Sequence, residues 1–366
     1  HSGLASGVFK DAHEKDPAKR YKMVHPWKNY KVFASYSADG LHWNLYNEGK
    51  EVIYVSPGHD SHMVAYWDEG LSKYVAIIRE RTGRIKNIRR ELIEDETEAK
   101  IWKKLWRPTQ KTSPEKHTLR RVGQAESDDF VNWTPVRVVV AADSEDPVNR
   151  DQFYNMEVMQ YEGLRIGFMT VFSYDRQRNR GAVQLTYSRD GMNWHRGGNR
   201  EVFLPLSDKP GDFDWGMVYP LQAPVVVGDE IYIFYDGHAS DHNQIVPDGI
   251  SEVTGGIGLA KLRLDGFVSV DAGEAAGTLV TKPFIFSGQN LTINADAKLG
   301  SVLVEILDET GKPVSGLSKQ DCDPLKVDKI RHTVTWQGKA DVKALEGKVV
   351  KLKFYLENAK LFSFGF

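Results

Sequence analysis

Cysteine is almost missing from this 366-residue chain, and its one copy, Cys322, excludes an intrachain disulfide. A dominant sign of charge is missing too. Lysine and arginine number 48 against 50 aspartates and glutamates, so a net charge of −2 supplies no global field to gather nucleic acid or an anionic membrane. No apolar run approaches the roughly 20 residues that span a bilayer, and the chain opens on no secretory pattern. Its first residue is His, not Met, as expected of a processed or truncated chain, and a periplasmic or secreted location is the expectation. Aromatic residues are plentiful by contrast, at 11 % with nine Trp. Ring faces of that kind stack on sugar C–H groups and equally fill the blades of β-propellers.

One short phrase occurs three times: a strand, Ser, an acid two places on, and Trp four beyond it. The copies are Ser37-Ala-Asp39-Gly40-Leu-His-Trp43, Ser127-Asp-Asp129-Phe-Val-Asn-Trp133 and Ser188-Arg-Asp190-Gly191-Met-Asn-Trp194, with a degraded fourth at Leu264-Asp265-Gly266-Phe267. Asp accepts hydrogen bonds from the turn's backbone, Gly takes positive φ, and Trp folds back over the strands. Those residues are architecture. Repetition of one hairpin unit predicts four-stranded blades arranged radially, a β-propeller.

Upstream of the turns lie paired alternating strands, Gly7-Val-Phe-Lys-Asp11 with Arg20-Tyr-Lys-Met-Val24, and Met63-Val-Ala-Tyr-Trp67 with Lys73-Tyr-Val-Ala-Ile-Ile78. Two more follow: Glu157-Val-Met-Gln-Tyr161 with Leu164-Arg-Ile-Gly-Phe-Met169, and Ala223-Pro-Val-Val-Val227 with Glu230-Ile-Tyr-Ile-Phe-Tyr235. Four blades are therefore read directly, and a fifth needs residues upstream of His1 or after Asp265 to close the ring. Residues 84–116 break the spacing. Ile88, Leu92, Ala99, Trp102 and Trp106 fall mostly three or four apart among charges, which predicts an amphipathic helix: a solvated insert, a lid, or an oligomer contact. After Val270 short alternating strands predict a β-sandwich. The expected fold class is all-β, a five-bladed β-propeller over 1–272 followed by a C-terminal β-sandwich over 273–366.

In a propeller the loops entering the innermost strands converge at one mouth of the central channel. Those positions hold Gly58-His59-Asp60-Ser61-His62, Arg150-Asp151-Gln152-Phe153-Tyr154-Asn155 with Glu157 just inside the strand, and Asp212-Phe213-Asp214-Trp215-Gly216. Acids gathered around a funnel suit glycosidic cleavage, in which one carboxyl protonates the leaving oxygen while another attacks the anomeric carbon or activates water. Asp60, Asp151 and Asp214 are the core candidates, with Glu157 as candidate general acid. His59, His62, Tyr154, Trp215, Asp236 and His238 are candidate contacts to a carbohydrate substrate. His59-x-x-His62 lacks a distant third ligand, so no catalytic metal and no cofactor is expected, although a structural or channel-bound cation stays open. Gly255-Gly256-Ile257-Gly258 lacks the strand-to-helix context of a dinucleotide fingerprint. Two alternatives stay open: a non-catalytic carbohydrate-binding propeller, and a sialidase-like hydrolase in which Arg79, Arg150 and Arg176 converge on one carboxylate.

The runs His59-Asp-Ser-His62, Tyr66-Trp-Asp68, Glu126-Ser-Asp-Asp-Phe-Val-Asn-Trp133, Gly211-Asp-Phe-Asp214-Trp-Gly-Met-Val-Tyr219 and Arg263-Leu-Asp-Gly-Phe-Val268 carry a family resemblance. The chain resembles bacterial proteins similar to glycoside hydrolase family 32 and, more widely, the furanosidase clan of five-bladed propellers that includes families 32 and 43. The resemblance spans residues 3–366. It implies three acids at successive blade entrances, a nucleophile or base, a pKa-tuning Asp and an acid Glu, here Asp60, Asp151 and Asp214 with Glu157 the nearest Glu. The clan's Asn-Asp-Pro-Asn-Gly, Arg-Asp-Pro and Glu-Cys-Pro motifs are absent, so the resemblance leaves the individual roles unassigned.

Overall fold

A computed structural model describes residues 7–27, 31–55, 62–81, 120–146, 152–175, 178–221, 223–242, 244, 246, 249–250 and 254–366. The helix expected over 84–116 lies outside the described residues. The chain divides into two compact units, His1–Val225 with Ile233–Ala260, and Val226–Tyr232 with Lys261–Phe366.

The first unit is built from successive antiparallel sheets in sequence order, the blades of a β-propeller. Blade 1 pairs Val8–Lys10, Tyr21–Trp27, Lys31–Ser37 and Asn44–Leu45 in that order, and blade 2 pairs Val64–Asp68, Lys73–Arg81, Arg120–Ser127 and Arg137–Val140. Blade 3 runs Gln152–Tyr161, Leu164–Asp175 and Arg178–Ser188, edged by His195–Arg196 and Val202–Leu204. Blade 4 starts at Met217–Pro220 and continues into the parts of Glu230–His238 and Gly255–Arg263 that belong to this unit. Two of these strands depart from the expected pattern. Blade 3's first strand begins at Gln152, five residues before the expected Glu157. Blade 4 opens on Met217–Pro220, with Val225–Val227 a separate short strand, because Pro220 and Pro224 have no N–H to carry one ladder through.

The three Trp turns are as expected. Asp39, Asp129 and Asp190 each accept the backbone N–H groups two and three residues on, at 2.7–2.9 Å, and each accepts the hydroxyl of the preceding Ser. All three carboxyls are held below the usual range: the His42 and Asn193 backbone N–H bonds lead at Asp39 and Asp190, whereas at Asp129 the turn's bonds outweigh a burial that acts the other way. The residue after the Asp is left-handed in every copy, with φ 79° at Gly40, 65° at Phe130 and 72° at Gly191. Phe130 carries strain that glycine avoids, and its fully buried ring packs 5.1 Å from Tyr74 and 5.3 Å from Trp133. The third turn differs in another way. Trp43 and Trp133 donate their indole N–H to the carbonyls of residues 40 and 130, but Trp194 donates to Gln124 Oε1 at 3.2 Å, and Gln124 Nε2 donates to the Gly191 carbonyl at 3.0 Å. Gln124, from blade 2 and wholly buried, is spliced into the turn of blade 3.

Apolar faces meet between blades. Val24, Val32, Ala34 and Ile53 pack with Ala65, Ala76 and Ile78 between blades 1 and 2, and Val64, Val75 and Ile77 pack with Phe153, Met156 and Val158 between blades 2 and 3. Each large side chain so buried contributes about 1.5–3 kcal/mol. Charges are buried at the same seams. Lys22, 1 % exposed, reaches Asp11 at 2.6 Å, Glu14 at 2.9 Å and the Tyr74 hydroxyl at 2.7 Å. Arg165 of blade 3 grips the buried Asp68 of blade 2 with two nitrogens, and its third donates to the Arg189 carbonyl at 2.9 Å.

The second unit is a β-sandwich. One sheet orders Val270–Ala272, Ala359–Gly365, Thr292–Asp296 and Asp328–Thr333, and the other gathers Gly277–Val280, Phe284–Ile285 and Ser301–Leu307 on Val349–Glu357. Between them lies a core that includes Ile293, Val304, Trp336, Leu352 and Phe354. Cys322 is buried there, and desolvation pushes its thiol up to about 11, which leaves it inert at neutral pH.

Candidate active site

Blade 3's innermost strand aims its side chains through one irregularity. Thr170 pairs with Asn155 but Val171 pairs with Phe153, so Tyr154 is an extra, unpaired residue, a β-bulge. Strict alternation would put Phe153, Asn155 and Glu157 on one face. The bulge instead sends Phe153 with Met156 and Val158 into the seam toward blade 2, and turns Asn155 and Glu157 the other way.

Glu157 meets His62, which stands just before blade 2's innermost strand. Glu157 Oε1 lies 2.6 Å from His62 Nδ1, with the side chains only 2 % and 12 % exposed. Asn155 Nδ2 approaches the same nitrogen at 3.4 Å. Burial pushes the Glu157 carboxyl up, and the His62 charge only partly offsets it. Burial alone would depress His62, but the adjacent carboxylate outweighs it and the imidazole is raised. Burial raises Glu157 while His62 pulls it down, the Glu157 carboxylate raises His62, and the two titrate as a unit.

An aromatic path leads away from this pair. Tyr154, beside Asn155, packs on Phe172 at 4.9 Å, Tyr219 at 5.4 Å and His242 at 5.3 Å between ring centroids. The buried Arg79 guanidinium sits 4.9 Å over the Tyr154 ring, held by the π face. Tyr219 is edge-on to His238 at 5.8 Å, and His238 Nε2 lies 2.9 Å from Asp236 Oδ2. That hydrogen bond raises the imidazole, outweighing partial burial. Asp236 and His238 are 37 % and 40 % exposed at the side chain, so the aromatic path ends at an accessible pair.

The structure thus brings together Glu157 and His62, with Asn155 beside them, and separately packs Tyr154 on Tyr219, which meets His238 beside Asp236. Asp214 and Trp215 form a separate group. Asp214 accepts the Tyr235 hydroxyl at 2.8 Å, and burial followed by that bond pushes the Tyr235 phenol up to about 12. Trp215 is 7 % exposed, with the Arg180 guanidinium 4.9 Å over its ring. Gly216, next in line, packs so closely on the Ser240 carbonyl that any side chain there would collide with it. His59, Asp60 and Asp151 lie outside the described residues, as do Arg150 and Arg176 of the sialidase-like alternative. Asn155 and His242 were missed by the sequence reading as site members. Asn155 was legible in principle, since Asn-Met-Glu places it two residues from Glu157 on the same strand face.

The sequence matches no known protein family and no curated protein. Solved structures are similar to it in fold. One titled a glycoside hydrolase shows 13 % identity and a TM-score of 0.43, covering 71 % of each chain. A GH32 β-fructofuranosidase of Bombyx mori shows 11 % identity and a TM-score of 0.41, covering 98 % of this chain and 91 % of its own. A β-1,2-mannobiose phosphorylase of Listeria innocua, solved with β-1,2-mannobiose, shows 14 % identity and a TM-score of 0.40, covering 66 % and 52 %.

Proposed function

We propose that the chain is a glycoside hydrolase whose substrate binds at the mouth of the propeller channel. The observation that carries this reading is the Glu157–His62 pair: a buried carboxyl, raised by desolvation, on the innermost strand and 2.6 Å from an imidazole. Burial that strengthens a carboxyl's hold on its proton is what a general acid requires. In the proposed reaction Glu157 gives its proton to the leaving glycosidic oxygen as the bond to the anomeric carbon breaks. A second carboxylate, for which Asp60 and Asp151 are the candidates at equivalent entrances, attacks that carbon or takes a proton from the attacking water. His62 holds the Glu157 carboxyl in place and returns its proton. Asp236, His238 and Tyr154 would meet sugar hydroxyls and ring faces, and a periplasmic or secreted setting suits a polysaccharide or oligosaccharide substrate.

The test is Glu157→Gln, assayed by product release from a broad set of polysaccharides and aryl glycosides. Expected is a loss of turnover of at least about a thousandfold, in keeping with removal of a general acid and its pair, with a cooperative unfolding transition kept at a lowered thermal midpoint. Undiminished cleavage by a folded Glu157→Gln protein would overturn the assignment.

A further inference from the structure

A cleft of about 610 Å³ opens between the outer strands of blades 2 and 3, and none of the candidate catalytic residues lines it. Val139 and Val140 form part of one wall. Tyr187, Trp194 and His195 supply rings, with Tyr187 and His195 5.3 Å apart and tilted by 34°. Arg196 and Arg200 line the remainder with Asp143 and Glu145.

The charges in this cleft are already satisfied by one another. Arg200 makes a two-pronged contact with Asp143 at 2.7 and 2.8 Å, and reaches Glu145 and Asp146 at 3.0 Å each. Arg196 holds both Asp146 oxygens at 2.9 and 3.1 Å, donates to Gln184, and lies 4.7 Å over the Phe153 ring. Side chains of Arg196 and Asp146 are 9 % and 2 % exposed. Arg196 Nε is buried and unpartnered, and the terminal nitrogens of both guanidinium groups are committed to Asp143, Glu145, Asp146 and Gln184, so no solvent-facing guanidinium edge is left to receive a phosphate, sulfate or carboxylate. What remains is a rigid array of paired polar groups beside ring faces. Fixed, planar hydrogen-bonding groups with an adjacent aromatic surface fit a neutral polyhydroxylated ligand, because the cost of ordering the site has been met in folding.

The backbone agrees with a wall held in place. Gly198, Asn199 and Arg200 are successive left-handed residues, φ 55°, 53° and 61°. Blade 1 makes the same turn at Asn47, Glu48 and Gly49, φ 51°, 53° and 70°, where the third residue is glycine. Arg200 takes that strained place in blade 3, and its carboxylate partners hold it there.

We propose that this cleft is a secondary, non-catalytic subsite for a neutral oligosaccharide, lying on the outer strands of the propeller and retaining a glycan chain while another part is cleaved. The proposal rests on the glycosidase reading for its purpose and on the cleft alone for its binding. Its test uses the whole chain carrying Glu157→Gln, titrated with cello-, malto-, xylo-, laminari-, arabino- and fructo-hexaoses, with inorganic phosphate as the anionic probe. Binding is read from amide and indole resonances. At least one neutral hexaose is expected to move the signals of Tyr187, Asn199 and the Trp194 indole, and phosphate to move none. Tyr187→Ala and the exposed-residue variant His195→Ala should each weaken that binding at least fivefold while leaving the wild-type chain's cleavage of aryl monoglycosides unchanged. Silence of these resonances with every hexaose, or a response to phosphate, overturns the subsite. Cleavage of a hexaose that leaves the cleft signals unmoved refutes the subsite and spares the glycosidase; cleft binding with no cleavage of any glycan does the reverse.

Discussion

Glu157 Oε1 and His62 Nδ1, contributed by adjacent blades, stand 2.6 Å apart in a pocket that admits almost no solvent. Neither blade would bury its group alone, because an unpaired charge there is costly. The seam between blades 2 and 3 and the proposed proton donor are therefore maintained by one interaction.

This pair makes stability fall as pH rises. Above about pH 6.5 the unfolded chain gives up its imidazole proton, while the folded pair, raised in both members, still holds one. Glu157 is raised as well, so the unfolded state already binds fewer protons above about pH 4.3; the pair's contribution is full only below that pH and is lost as pH rises through both raised steps. Thermal midpoints from pH 6 to 9 should decline in the wild type and decline less in Glu157→Gln; identical slopes would count against the pair.

The Lys22 cluster acts at the opposite end of the scale. Burial opposes ionisation of Asp11, but bonds from Lys22 and Tyr74 outweigh it and its carboxyl is held low; Glu14 follows the same pattern through the Asp16 backbone and Lys22. Their contribution is present above the ordinary carboxylate range and is lost as pH falls through the depressed values. Asp11→Ala takes the nearest carboxylate from the buried Lys22, leaving it Glu14 and the Tyr74 hydroxyl, and should cost about 1.5–3 kcal/mol, read by urea unfolding at pH 7. A cost below 1 kcal/mol would mean that Lys22 finds another partner.

At Phe130 the usual order of substitutions should reverse. Its backbone is left-handed and its ring wholly buried, so either truncation loses the ring. Phe130→Ala should cost about 3–5 kcal/mol. Phe130→Gly should cost about 1 kcal/mol less, because only glycine sheds the left-handed penalty. Denaturation midpoints of the two proteins decide it.

Asp236 and His238 lie at the accessible end of the aromatic path. Asp236→Ala removes the partner that raises the imidazole, and is expected to increase KM about tenfold with a smaller change in kcat, the pattern of a contact made equally to substrate and transition state. Steady-state kinetics on the substrate found for the wild type would show the reverse split if Asp236 takes part in bond cleavage.

How much of this was legible depends on where each interaction closes. The Trp turns were readable because Asp39, Asp129 and Asp190 satisfy backbone groups within three residues. Strand pairs such as Lys73–Arg81 with its neighbours were readable from alternation. The Tyr154 bulge was not, since an extra residue exists only relative to Val171 on the next strand. Burial of Lys22 was equally hidden, its partners lying 11 and 52 residues away. Glu157 was picked out by its place inside the strand, whereas its pairing with His62 depended on two blades meeting.

Gln124 makes one turn depend on its neighbour. The first two Trp turns complete their indole bonds with a carbonyl three residues away, so each closes within its own segment. Trp194 instead bonds to an acceptor 70 residues away in blade 2. Turns that look alike in sequence are therefore not interchangeable: a copy of the third turn grafted elsewhere would arrive without the neighbour that completes it.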